Sequence, residues 1–166
     1  MPDTLSVEMA ANWDEVDAVR QRSADFLQEI GLTPDAVDAL TMITCELAEN
    51  AVKYSSAGGS RRILVTLTQS PDAVTVEVRS PVSGASNAHL AKLEAAIQWI
   101  RGYQDPFEAY VERLQHASAQ QMTSTESGLG LVRIAYEGRS ILDFYVDEEN
   151  MLSVSAVYPL EPGALR

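Results

Sequence analysis

The spacing of apolar residues divides the first third of the chain into one strand and two helices. Residues 5–9 alternate apolar and polar side chains, which predicts a half-buried strand, whereas residues 13–30 carry apolar side chains at helical spacing. Gly31 ends this first helix. Thr33 and Pro34 form a typical helix start, because threonine caps free amides and proline needs no partner there. A second helix is therefore predicted over residues 33–54.

The remainder of the chain alternates between strand and helix patterns. Turn residues join four short segments of alternating apolar character into two antiparallel hairpins, at residues 63–67, 74–78, 141–146 and 152–157. Helical spacing occurs in residues 88–100, from residue 105 onward, and in 131–136. Hairpins with helices between them predict an α+β, two-layer sandwich: a mixed, mostly antiparallel sheet of about five strands with helices on one face.

Length and composition predict one domain over residues 1–166. The hydrophobic content of 46% is enough for a single sizeable core. Within this domain, residues 88–121 form a predicted helical insertion and residues 160–166 a tail. Residues 118–127 are rich in Ser, Thr and Gln, lack an apolar period, and predict a lid loop.

The charge of the chain excludes several classes of partner. A net charge of -12, from 12 Lys and Arg against 24 Asp and Glu, repels nucleic acid and anionic membrane surfaces. The single cysteine, Cys45, allows no internal disulfide and no cysteine zinc site. No basic-then-apolar leader and no long apolar run is present, so a cytoplasmic protein is expected.

The second predicted helix carries three polar side chains beside its apolar stripe. On a helical wheel, Glu46, Asn50 and Lys53 fall within about 60° along one edge of the stripe. A carboxylate can deprotonate a hydroxyl, an amide oxygen can ligate magnesium, and an amine can neutralise phosphate. A solvated helix edge, with Glu49 and Lys53 as an ordinary ion pair, is the alternative interpretation. The stripe consists of Leu40, Ile43, Leu47, Ala51 and Tyr54.

The same residues carry a family resemblance. Glu46-Leu47-x-x-Asn50-Ala51-x-Lys53-Tyr54 resembles the N-box of the GHKL superfamily, the Bergerat-fold ATPases that include histidine-kinase catalytic domains and anti-sigma-factor serine kinases. The resemblance implies that Glu46 is the polarising base and Asn50 the magnesium ligand. It also implies that Lys53 approaches the phosphates of ATP.

A second motif lies downstream. Gly128-Leu129-Gly130-Leu131 resembles the G2 box, which wraps the triphosphate at the N-terminus of a helix. Free amides and the helix dipole attract anions at such an end. Taken alone, the two glycines predict an ordinary tight turn. Their position after a polar loop and before a strand hairpin follows the family order.

The third box of the family departs from its pattern. Members of the superfamily have Asp-x-Gly-x-Gly after a strand, and the aspartate accepts a hydrogen bond from adenine. Aligned on residues 74–78, Ser80 replaces the aspartate, Val82 replaces the first glycine, and Gly84 alone matches. The resemblance therefore assigns adenine contacts to Ser80 and Gly84 in an altered form.

Two functions follow from the resemblance. The first is a regulatory ATP- and magnesium-binding protein of the anti-sigma-factor kinase type, with serine/threonine kinase or ATPase activity as its reaction. Its partner would be a protein such as an anti-sigma antagonist, a sigma factor or another signalling protein, with a homodimer left open. The alternative is a degenerate GHKL module that binds no nucleotide and works through protein contacts.

Overall fold

The protein folds as one five-stranded sheet with helices on one side. The computed structural model describes residues 3–54, 62–82, 87–102 and 129–161, together with positions 108, 111, 112 and 115. In chain order its elements are β1 (Thr4–Met9), α1 (Trp13–Glu29), α2 (Pro34–Tyr54), β2 (Ile63–Gln69), β3 (Ala73–Pro81), α3 (Asn87–Arg101), α4 (Leu129–Tyr136), β4 (Ile141–Val146) and β5 (Met151–Pro159).

The strand order is β1-β2-β3-β5-β4, and every pairing among the described strands is antiparallel. This confirms the predicted α+β class and the count of five strands. The pairing of β3 with β5 is the one that joins the two hairpins, and it brings residues 73–81 against residues 151–159. The two predicted halves of the sheet thus become a single surface.

The strand registers separate an apolar face from a polar face. Val65, Val78 and Val154 are direct cross-strand neighbours, and all three are buried under the helices. The adjacent row, Thr66, Glu77 and Ser155, lies on the opposite face. Because side chains alternate along a strand, this arrangement follows directly from the period-two pattern of the sequence.

The predicted signals at the junction of α1 and α2 are present in the structure. Gly31 has a φ of 87°, which a glycine adopts without a Cβ penalty, and it follows the last turn of α1. The Thr33 hydroxyl accepts a hydrogen bond from the Ala36 amide at 3.4 Å, and Pro34 is the first helical residue. The helix therefore begins where its capping residues predict.

Helix α2 is the central helix of the covered face. It contacts α1, α4 and the strands β2, β3 and β5. Leu40 and Ile43 are fully buried and Leu47 is nearly so, which confirms the predicted core stripe. Burial of each such side chain stabilises the fold by about 1.5–3 kcal/mol.

Part of the prediction lies outside the described residues. The lid at 118–127, the end of the tail and most of the helix predicted from residue 105 belong to this part. Positions 108, 111, 112 and 115 of that helix are described and are helical, so the insertion is described mainly through α3. Among the described residues, no helix is both long enough and apolar enough to cross a membrane.

Replacing Gly138 by alanine should destabilise the fold by about 1–3 kcal/mol, because the added methyl overpacks the core. A Cβ at this position would lie 2.6 Å from the Ile134 carbonyl oxygen and 2.8 Å from Ile43 Cδ1. The free energy of unfolding in urea measures the effect. Gly102, which follows α3, is the matched control: its Cβ would meet nothing closer than the Trp99 carbonyl at 3.4 Å. Equal losses in the two variants would contradict the packing described for Gly138.

Candidate functional site

The polar edge of α2 lies at the boundary of the core. Glu46, Asn50 and Lys53 are each half-buried, while Leu47 and Ala51 on the neighbouring stripe are buried. The apolar stripe anchors the helix, so the orientation of this edge is set by core packing. The three polar side chains are therefore held between the protein interior and solvent.

Glu46 packs directly on the first turn of α4. A Cβ added to Gly130 would lie only 2.3 Å from Glu46 Oε2, so the absence of a side chain at Gly130 makes room for the carboxylate. The other oxygen, Oε1, accepts a hydrogen bond from Arg133 Nη1 at 3.1 Å. Arg133 also donates through Nε to Glu137 at 3.1 Å. Two residues of α4, one turn apart, thus hold the Glu46 carboxylate.

The surroundings of Glu46 raise the pKa of its carboxyl above the usual range. Burial is the largest cause, and the negative charge of Glu49 acts in the same direction. The Arg133 guanidinium opposes both by stabilising the ionised form, and the Glu137 carboxylate adds a smaller increase. A carboxylate whose pKa is raised is a stronger base in its ionised form than an exposed one.

A narrow pocket lies on the other side of Asn50, between the helices and the covered face of the sheet. Its volume is about 20 Å³, enough for roughly one water molecule. Asn50 and Ser80 are its polar residues, and they therefore face the same space. The remaining lining residues are apolar: Leu47, Ala51, Val78, Leu93, Leu152 and Val154.

Ser80 and Val82 close the end of β3. Ser80 is only 2% exposed and pairs across the sheet with Leu152. Val82 is buried, and its amide donates a hydrogen bond to the Asn150 carbonyl at 2.9 Å. The side chain at residue 82 is thus part of the core, where a glycine would leave space.

The end of β3 is tied to the β4–β5 turn by an ion pair between Arg79 and Asp147. Asp147 Oδ1 also accepts the Met151 amide at 3.0 Å and the Glu149 amide at 2.9 Å. These contacts lower the pKa of Asp147, with the Met151 amide as the largest cause. The ion pair with Asp147 therefore holds the end of β3, next to Ser80, against the β4–β5 turn.

The N-terminus of α4 has the properties of an anion site. Leu129 opens the helix, and its first turn contains no acidic residue. The amides and the positive end of the dipole at this turn favour an anion, and the Glu46 carboxylate from α2 packs on the same turn. Leu131 is 6% exposed and belongs to the hydrophobic core, so its side chain does not face a ligand.

The residues fit the phosphate and magnesium half of a nucleotide better than the base half. The space over Gly130 that a Cβ would fill is occupied by the Glu46 carboxylate, so the phosphate half rests on the amides and the dipole at the start of α4. Asn50 offers an amide oxygen for magnesium, and the described residues contain no group of three His, Cys, Asp or Glu that would hold a metal alone. Phosphate oxygens would have to supply further ligands to a magnesium ion held by Asn50.

The structure groups four of the predicted site residues into two pairs. Glu46 packs on Gly130, whereas Asn50 and Ser80 line the pocket, whose lining includes neither Glu46 nor Gly130. Lys53 is half-buried in the last turn of α2 and is not among the lining residues of the pocket. Gly84 and Gly128 lie outside the described residues.

Sequence reasoning did not assign Arg133 or Leu93 to the site. Arg133 is 87 positions from Glu46, and Leu93 reaches the pocket from the insertion helix α3. The only sequence feature that could have pointed to Arg133 was its position two residues after the glycine motif. For Leu93, helical spacing predicted burial but not its neighbours.

Comparisons with known proteins agree with the fold. The sequence matches the family model of the histidine kinase-like ATPase domain over residues 9–136. A search of curated proteins found no match. A chain in the crystal structure of the SiaB-SiaC complex from Pseudomonas aeruginosa superposes with a TM-score of 0.69 at 17% identity, and the match covers 92% of this chain and 88% of that chain. At this identity the likeness shows the shared fold.

Replacing Glu46 by glutamine should stabilise the protein increasingly as the pH rises. Because the folded-state pKa is raised, the protonated carboxyl contributes stability below the unfolded-state pKa of about 4.3, and this stability is lost as the pH rises through the folded-state pKa. Glutamine cannot ionise, so the variant keeps the stability of an uncharged side chain at every pH. Urea unfolding from about pH 4.5 to pH 8 measures the difference between variant and wild type. A difference that stays constant or falls with pH would contradict the raised pKa.

Proposed function

The chain belongs to the family of histidine kinase-like ATPase domains, and on this premise we propose that it is a regulatory ATP-binding protein that acts on a protein partner, as anti-sigma-factor serine kinases do. One observation carries the proposal. Glu46 and Asn50 are one turn apart on α2, and Glu46 packs against Gly130 while Asn50 lines a pocket with Ser80. This proximity of Glu46, Asn50 and the N-terminus of α4 supports the roles proposed for them.

Each residue has a role that follows from its chemistry. Bound Mg-ATP would supply the transferable phosphoryl group, and Asn50 would hold the metal through its amide oxygen. The amides of α4 near Gly128 and Gly130 would bind phosphate oxygens, and Lys53 would add positive charge. Glu46 would accept the proton of a serine or threonine hydroxyl, or of water, at its carboxylate.

Adenine would be held weakly. A hydroxyl at Ser80 in place of a carboxylate exchanges a charge-assisted hydrogen bond for a neutral one, a loss of about 1.5–3 kcal/mol or roughly tenfold to over a hundredfold in affinity. The pocket beside it would also have to widen to admit a base, because its present volume is about 20 Å³. Binding at millimolar nucleotide remains compatible with these costs.

A protein is the proposed partner. The similar structure is a complex of SiaB with SiaC, and that pairing supports a protein-binding role for this fold. The net charge of -12 would steer a partner with a basic surface toward the chain. An anti-sigma antagonist, a sigma factor or a signalling protein in the cytoplasm is the class proposed, and a second copy of the chain is the homodimer alternative.

A second candidate function is a nucleotide-free regulatory module. The observation that favours it lies at the end of β3, where the family has its adenine contacts. Val82 is buried there, and the pocket next to Ser80 is lined mainly by apolar residues. In this case Glu46 and Asn50 would serve only the packing of α2 against α4 and the sheet. Protein contacts alone would then carry the regulation.

Calorimetric titration separates the two candidates. The wild-type chain should bind Mg-ATP and its non-hydrolysable analogue with a dissociation constant in the range of about 0.1–1 mM, given the weakened adenine contact. Asn50→Ala should lose at least about tenfold in affinity for the magnesium complex, because the metal ligand is removed. Gln21→Ala, an exposed amide-to-alanine change on α1, is the matched control and should bind as the wild type does.

The two contrary outcomes have different meanings. Absence of heat at several millimolar Mg-ATP for the wild type would reject the ATP-binding proposal and support the nucleotide-free module. Equal affinity of the wild type and Asn50→Ala would reject the role of Asn50 as metal ligand.

A further inference from the structure

We propose that Arg133 is a positioning residue that couples the seating of α4 to the orientation of the Glu46 carboxylate. The inference rests on the proposed function, in which Glu46 is the base. Arg133 is not among the residues that line the pocket beside Asn50, and it contacts the proposed base directly, so it would act through Glu46. This assigns a specific task to an arginine that the family resemblance does not single out.

The geometry of α4 supports this coupling. Gly130 and Arg133 are three residues apart and therefore lie on the same face of the helix, which is the face turned toward α2. Gly130 leaves space for one carboxylate oxygen of Glu46, and Arg133 binds the other at 3.1 Å. The Glu46 carboxylate thus packs against Gly130 and forms an ion pair with Arg133, and both residues belong to the same short helix.

The guanidinium of Arg133 is itself held in place. Its Nε atom binds Glu137 one turn later at 3.1 Å, while Nη1 binds Glu46. The planar fork of an arginine can serve two carboxylates in fixed directions, which a lysine ammonium does less well. Glu137 therefore aims Arg133 at Glu46.

The positive charge of Arg133 favours the ionised form of Glu46 against the effects of its other neighbours. Glu49 on α2 and Glu137 just after α4 are both carboxylates and disfavour ionisation of Glu46, as does its burial. The positive charge of Arg133 acts against them. Without Arg133, the Glu46 carboxyl would accept a solvent proton at higher pH and would be less available as a base at neutral pH.

Coupling follows because one helix carries both parts. The phosphate-binding amides are expected at the N-terminus of α4, and Arg133 lies in its last turn. A helix of 8 residues moves as a unit, so a shift of its N-terminus on binding phosphate also moves the partner of Glu46. In this proposal the contacts of α4 with α2 are what orient the base.

The experiment compares Arg133→Gln with Arg101→Gln, in the full-length chain. Arg101 is the matched control, because it also lies in the last turn of its helix and pairs with an exposed carboxylate, Asp143, at 3.6 Å. Affinity for Mg-ATP by calorimetry, kcat for ATP hydrolysis and its pH profile, and the melting temperature are measured for each. Arg133→Lys tests partial rescue by a cation of different shape.

For Arg133→Gln we expect kcat to fall about tenfold to a hundredfold, with the dissociation constant for Mg-ATP within about threefold of wild type. The acidic limb of the pH profile should move to higher pH, because the base loses its cation. Arg133→Lys should recover part of kcat, and Arg101→Gln should match the wild type. A purely structural role for Arg133 would lower the melting temperature and leave the acidic limb in place.

A double-mutant cycle gives a readout that needs no activity. Glu46→Gln, Arg133→Gln and the double variant should show coupling of roughly two- to fivefold in the unfolding equilibrium constant at neutral pH. Absence of coupling, or an Arg133→Gln variant that hydrolyses ATP as Arg101→Gln does, overturns the inference alone. A wild type that binds no Mg-ATP overturns the proposed function. If the wild type binds Mg-ATP but does not hydrolyse it, water is not the phosphoryl acceptor, and the double-mutant cycle alone decides this inference.

Discussion

The burial of one stripe of α2 against the sheet is the constraint on which the rest of the structure depends. Leu40, Ile43 and Leu47 are held between α1, α4 and the central strands, and this packing leaves the helix no freedom to rotate about its axis. Glu46 and Asn50 are therefore presented at the core boundary in fixed directions. Their positions are a consequence of hydrophobic packing, and no polar contact is needed to set the helix itself.

Electrostatics then decides how the carboxylate of Glu46 behaves. Burial and the neighbouring carboxylates oppose its charge, and the guanidinium of Arg133 partly offsets them. An ion pair of this kind contributes little to net stability, because desolvation cancels much of the attraction. Its value lies in fixing the geometry and ionisation of one group at a site where both affect reactivity.

The two halves of the site differ in kind. On the side of α4, a glycine, a helix N-terminus and a carboxylate remain adjacent, and each is suited to phosphate chemistry. On the side of β3, Val82 and the apolar lining leave a cavity close to the size of one water. A protein with this asymmetry would depend more on phosphate and metal contacts than on recognition of the base.

The sequence by itself determined the elements that the structure describes, because period and caps act over a few neighbouring positions. The resemblance to the family motifs supplied the candidate residues Glu46 and Asn50, whose roles stay predictions. Both the α+β class and the family resemblance are confirmed. Only the tertiary structure decided that Arg133 and Leu93 belong to the site, because their partners are distant in sequence. It also decided that β3 pairs with β5. Such contacts depend on how the apolar faces close on one another, which no local pattern encodes.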